Sequence, residues 1–218
     1  MNALYASTAA FLLTHFVAST PLRGTLVKAM GEWPYRGLYS LVAFVTLGWM
    51  IWAYAGAPRE PLWNGLRLLP VIVMPFAFVL IACGYFRNPT MVGADKLLKS
   101  DDPARGMIRI TRHPIMWGVM LWSGAHVLAR GDLKSLIFFG AFFVLAAVGT
   151  LAMDARKQAS PDWPRFASLT SHVPFVAIAQ GRNRINWREI GWLRPAIGLG
   201  LFAGFFATHG WLFGARPY

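Results

Sequence analysis

The five histidines carry most of the chemistry open to this chain, because charged residues are nearly absent from its long apolar runs. His15 and His126 fall inside such runs, and His209 lies near the end of the last one. His113 and His172 sit in basic connecting segments. An imidazole in hydrocarbon is costly without a partner, which marks His15 and His126 as functional candidates. Counted at 1.5 Å per residue from the basic end of each run, His15 lies about 10 Å deep and His126 about 18 Å deep. Helix tilt could bring the two to one level. Thr8, His15, Ser19 and Arg23, at offsets of seven, four and four, share one stripe of the first run. A polar stripe on an apolar helix faces protein. Trp122 and Ser123 lie one turn from His126, and Gly118 and Gly124 leave room beside it.

Two neutral imidazoles on facing helices suit a haem iron or a small metal ion. A structural zinc site would want four ligands, and no second histidine pair, nearby carboxylate or cysteine cluster completes one. Haem needs one or two axial residues and an apolar pocket, which the many aromatic residues could line. The same two histidines could instead only hydrogen-bond carbonyls or hydroxyls within a bundle. A second constellation runs Arg109-Ile110-Thr111-Arg112-His113-Pro114. Pro114 suits the first position of a helix. That helix N-terminus with two arginines and a histidine would bind a phosphate or carboxylate, or the arginines could simply mark one side of a membrane. The single cysteine, Cys83, excludes an intramolecular disulfide and reads as a packing residue.

The elements that must position these residues are membrane helices. Of the 218 residues, 56% are hydrophobic and 14% charged, against about 25% charged in soluble domains. Uncharged runs cover Met1–Leu22, Gly37–Pro58, Leu68–Phe86, Pro114–Ala129, Ser135–Met153 and Pro195–Ala215. Most approach the roughly 20 residues that a helix needs to cross hydrocarbon. Each is apolar all round, and none shows the alternation of a barrel strand. The expectation is an all-α, polytopic transmembrane bundle of about six spans, a single membrane domain over residues 1–218. The first run lacks a basic leader and a small-residue cleavage site, so it reads as a retained span. Pro70 and Pro75 should bend the third span, and Gly140, Gly149 and the glycines of the last span should permit close helix packing.

With six crossings, the segments 21–36, 87–113 and 154–194 share one side and carry sixteen of the 21 Lys/Arg. The other side holds Arg59, Arg67, Arg130, Lys134 and Arg216. This asymmetry puts both termini on the non-cytoplasmic side and directs the net charge of +12 to topology and anionic lipid rather than to nucleic acid. Trp163, Phe166, Phe175 and Trp187 suit a stretch lying on the membrane surface.

Three stretches, THFVASTPLRGTLVKAMGEWPYRGLYSLVA, RITRHPIMWGVMLWSGAHVLARGD and TSHVPFVAIAQGR, resemble the NnrU family of membrane proteins. That family is linked by its name to nitrite and nitric-oxide metabolism in denitrifying bacteria, and it is related to the 15-cis-zeta-carotene isomerases, membrane enzymes that carry haem b on histidines. The resemblance implies a haem b site with His15 and His126 as iron ligands in an inner (cytoplasmic) membrane protein. Arg23, Arg36, Arg109 and Arg112 are candidate partners for the haem propionates. It further implies redox-linked isomerisation of an apolar polyene or lipid-like substrate, electron transfer to a redox partner, or a role in nitrogen-oxide metabolism. The isomerases have a cysteine one turn before the second histidine, where this chain has Ser123, so a sulfur ligand switch is closed to it. Arg112-His113-Pro114 is also similar to the helix-opening motif of isoprenylcysteine carboxyl methyltransferases, which implies S-adenosylmethionine as an alternative cofactor. Their later acidic pair is replaced here by Asp154-Ala155-Arg156. A non-enzymatic membrane assembly factor is the remaining alternative.

Overall fold

Prolines and caps decide where the apolar runs become helix. In the computed structural model, which describes residues 1–18, 20–91 and 93–217, the first run is helical over Asn2–Val17 (α1) and then breaks. Pro21 accounts for the break: it has no N–H for the carbonyl of Val17, and its ring would strike that carbonyl. The chain resumes as α2 (Leu22–Met30), inclined at 74° to α1. The expected polar stripe is therefore cut. Thr8 and His15 share α1, Arg23 belongs to α2, and Ser19 lies outside the described residues.

The remaining long helices are α3 (Glu32–Gly56), α4 (Leu69–Gly84), α5 (Pro114–Arg130) and α6 (Leu133–Lys157). Three short helices follow, α7 (Trp163–Leu169), α8 (Val176–Ala179) and α9 (Trp187–Ile190), before α10 (Leu193–Phe213). Among the described residues there is no strand, only an isolated bridge between Pro61 and Asp132. The turn from α5 to α6 is set by its caps. Pro114 opens α5, and Gly131 closes it at a left-handed φ of 61°. The Asp132 carboxylate then accepts the Ser135 N–H at 2.9 Å to start α6.

Helices α3, α6 and α10, of 25, 25 and 21 residues, are long and apolar enough to cross a membrane, and the bent α1–α2 pair raises the count to four. Helices α1 and α4 have 16 residues and α5 has 17. These reach only about 24–26 Å of the roughly 30 Å core. Length and composition thus support three spans, up to four, where the uncharged runs suggested six. The outer faces suit lipid: Phe44 is 73% exposed, Ile72 64% and Trp211 86%.

Packing follows the order α10–α4–α5–α6–α1–α3, with α2 against α3. The glycines that permit close approach are not those expected. A Cβ on Gly118 would sit 2.8 Å from the Ala77 carbonyl oxygen of α4, and one on Gly198 would sit 2.8 Å from the Val79 Cα. Gly140 and Gly149 have nothing within 4 Å. The basic segments gather at one end of the bundle, where Lys157 pairs with Asp95 at 2.5 Å. At the other end, the Lys134 ammonium donates to the Ala57 carbonyl at 3.0 Å. Trp163 and Phe166 are no surface anchors. They are buried with Leu98, Ala104 and Ile108 in a small second core, while Phe175 and Trp187 are exposed.

Candidate functional site

His15 stands in the last turn of α1, and its Nδ1–H donates to the Phe11 carbonyl oxygen at 2.7 Å. His126 makes the same bond on α5, to the Trp122 carbonyl at 2.7 Å. A backbone carbonyl accepts only, so each ring is fixed with the proton on Nδ1 and the lone pair on Nε2. That is the tautomer and the orienting bond of a metal-ligating imidazole. Neither Nε2 takes a hydrogen bond among the described residues.

One aromatic wall on α6 connects the two. The His126 ring centroid lies 4.9 Å from Phe139, and Phe142 lies 5.1 Å from Trp122 and 5.3 Å from Phe11. Phe11 in turn lies 4.2 Å from His15, whose other aromatic neighbour is Tyr39 at 5.9 Å. Buried Leu4, Met50, Ala53 and Phe138 complete the apolar cluster. The histidines are not level. His126 meets Phe139, whereas His15 stands a turn beyond the residue that meets Phe142. Three residues of α6 and one turn of α1 make a stagger of roughly 10 Å. Helices α1 and α5 run antiparallel on α6, and each imidazole folds back one turn towards its own N-terminus. The two rings therefore lean towards each other and close part of that stagger. Two open Nε2 atoms beside an apolar aromatic wall fit the axial demands of a haem. Among the described residues no three His, Cys, Asp or Glu side chains group as a metal site, so a two-ligand centre is the kind these donors can form.

The four arginines separate into two places. Arg23 and Arg36 both pair with Glu32 at 2.8 Å, which leaves one excess positive charge near the His15 end. Arg23 also lies over the Tyr35 ring, whose buried hydroxyl has no partner. Arg109 is held elsewhere, by both oxygens of Glu189, by Asn183 at 2.9 Å and by Asp102. Arg112 pairs with Asp154 at 3.3 Å and lies 5.5 Å over Trp163. The structure therefore gives Arg109 and Arg112 carboxylates of this chain as partners. His209 stands apart near the end of α10, with its Nδ1 bonded to the Ala215 carbonyl.

Asp154 was read from sequence only as a missing motif, yet it organises a second cluster. The fully buried His113 donates from Nε2 to Asp154 Oδ1 at 2.7 Å, and its buried Nδ1 has no partner. Beside it, the Thr150 hydroxyl proton goes to the Ala147 carbonyl at 2.6 Å, so His172 Nε2–H donates to the Thr150 oxygen at 2.5 Å. The His172 carbonyl accepts from Thr111 at 2.8 Å and Trp117 at 2.9 Å, which pins its loop to α5. Burial, then the positive neighbours His113 and Arg112, hold His172 below the usual imidazole pKa against the pull of Asp154. Burial likewise lowers Arg112. A lone carboxylate ending an apolar run, opposite a histidine that opens another, was the available sequence signal.

With this geometry in view, the chain can be compared with known proteins. It is 27% identical over 179 residues to the chloroplastic 15-cis-zeta-carotene isomerase of Arabidopsis thaliana, covering 74% of this chain and 46% of that protein. The chain thus spans about half the length of the curated relative it matches. No solved structure matches it. The NnrU protein family model matches residues 3–217, and the chain belongs to the NnrU family.

Proposed function

We propose that this membrane protein binds haem b, with His15 and His126 as axial ligands, and acts as a redox-linked isomerase of an apolar polyene or lipid-like substrate. The observation that carries the reading is the shared state of the two imidazoles. Both are locked by an i−4 carbonyl, both leave Nε2 open, and both border one aromatic wall. The relative named as a carotene isomerase supplies the reaction class. Bound haem would supply one-electron redox chemistry at the iron. The chain's own residues fix the ligand tautomers, keep water from the site through Phe11, Trp122, Phe139 and Phe142, and offer Arg23 and Arg36 to propionates. Arg109 and Arg112 would join them only by leaving Glu189 and Asp154.

A second reading is electron transfer or a nitrogen-oxide response. Two imidazoles that fill both axial positions favour it, because isomerisation needs a position that opens. In either case all six long helices cross the bilayer of a bacterial inner membrane. The basic end then faces the cytoplasm and both termini lie outside. Thinning of the bilayer and flanking charged residues can accommodate the three shorter helices.

Haem titration of purified protein tests the proposal. One haem b per chain, seen as a saturable Soret band and a pyridine haemochrome, is the expected result. Protein that takes up none would refute it.

A further inference from the structure

The arginines at the basic end are not all accounted for by carboxylates. A cavity of about 230 Å³ opens where α4 ends and α10 begins, lined by Phe86, Arg87, Arg105, Arg188, Glu189 and Arg194 among others. Glu189 is the one acid there, and it is already saturated. Both of its oxygens bind Arg109, and it also accepts from the Gly106 N–H and the Asn186 amide. Hydrogen bonding from Arg109 is the main cause that holds its carboxyl down to about 2. Arg194 lies 5.2 Å over the Phe86 ring and reaches only the Glu189 carbonyl, at 3.5 Å. Arg87, Arg105 and Arg188 have no hydrogen bond or ion pair among the described residues. Arg87 also holds a left-handed φ of 51°, unusual for a residue other than glycine.

Four guanidiniums around one cavity with no carboxylate left to neutralise them repel one another unless an anion enters. The first turn of the 21-residue α10 adds backbone N–H groups and the positive end of its dipole. The volume falls below the roughly 300–1,000 Å³ typical of drug-sized ligands, which suits a phosphate-bearing head rather than a nucleotide. Around the mouth, Tyr85, Trp187 and Trp192 are 67%, 71% and 78% exposed, as aromatic residues are at a membrane interface.

We infer that Arg87, Arg105, Arg188 and Arg194 form a binding site for a phosphate group, supplied by the head of an anionic phospholipid seated at the α4–α10 end of the bundle. The site is independent of the histidine wall and of any haem there.

Native mass spectrometry of the purified full-length chain can test this by titrating phosphatidylglycerol against phosphatidylcholine. The wild type should prefer phosphatidylglycerol, and Arg105→Gln with Arg188→Gln should weaken that binding by about tenfold or more. The variant should elute and unfold as the wild type does, because neither guanidinium has a protein partner. Lys96→Gln with Lys99→Gln removes as much charge from the same end and should leave the preference unchanged. Inorganic phosphate at millimolar concentration separates the sources. Binding of phosphate that displaces the lipid and is lost in the arginine variant assigns the site to the phosphate group alone. Lipid binding that phosphate does not displace assigns it to the whole headgroup. Equal lipid binding by the arginine variant and the wild type would overturn the inference. So would an equal loss in the lysine variant.

Discussion

His113 and Asp154 tie the entrance of α5 to the last turn of α6, with Nε2 of the buried histidine donating to Oδ1 at 2.7 Å. The same carboxylate takes Arg112, so a single acid answers two adjacent basic residues.

Removing that acid should be destabilising. Asp154→Ala leaves His113 and a largely buried Arg112 without an ionic partner, at a cost of about 3 kcal/mol or more. Thermal unfolding in detergent should show the lowered midpoint. His113→Ala, which leaves Arg112 to pair with Asp154, should lower it less.

The neighbouring His172 predicts a pH dependence. Its folded-state pKa is depressed by burial. Below about pH 6.5 the unfolded chain takes up a proton that the folded chain refuses. Its contribution to stability is therefore complete above that pH and is lost as pH falls through the depressed folded value. The unfolding midpoint of the wild type should drop between neutral pH and pH about 5.5. His172→Gln should remove part of that drop; an equal drop in both proteins would exclude His172 as its source.

Helix contacts predict opposite outcomes at two kinds of glycine. Gly118→Ala would place a methyl group 2.8 Å from the Ala77 carbonyl oxygen and 2.5 Å from Ile81. It should destabilise by about 1–3 kcal/mol. Gly140→Ala meets nothing within 4 Å and should be neutral or mildly stabilising, since alanine is the better helix former. Melting midpoints of the two variants measure the difference.

The sequence made some of this legible and hid the rest for physical reasons. His15 and His126 stood out because ionisable residues are rare in the apolar runs, and each run did become a helix. Pro114 and Gly131 marked the limits of α5 correctly. The break at Pro21 was also readable, since proline disrupts the turn before it, but the uncharged run continued past it and concealed the end of α1. Partner choice could not be read from one chain. Arg109 and Arg112 look alike near one apolar boundary, yet Glu189 lies 80 residues from the first and Asp154 42 from the second. Small residues likewise promise close packing, but only the helix order decides that Gly118 and Gly198 provide it while Gly140 and Gly149 face open space.

The central claim rests on two open Nε2 atoms, and a reduced-minus-oxidised spectrum of the wild type beside His15→Ala, His126→Ala and His209→Ala tests it most directly. The account predicts haem b bands in the wild type and in His209→Ala, and a shifted or missing spectrum in each of the other two. Haem-free wild type from haem-replete cells, or wild-type spectra in both axial variants, would contradict it.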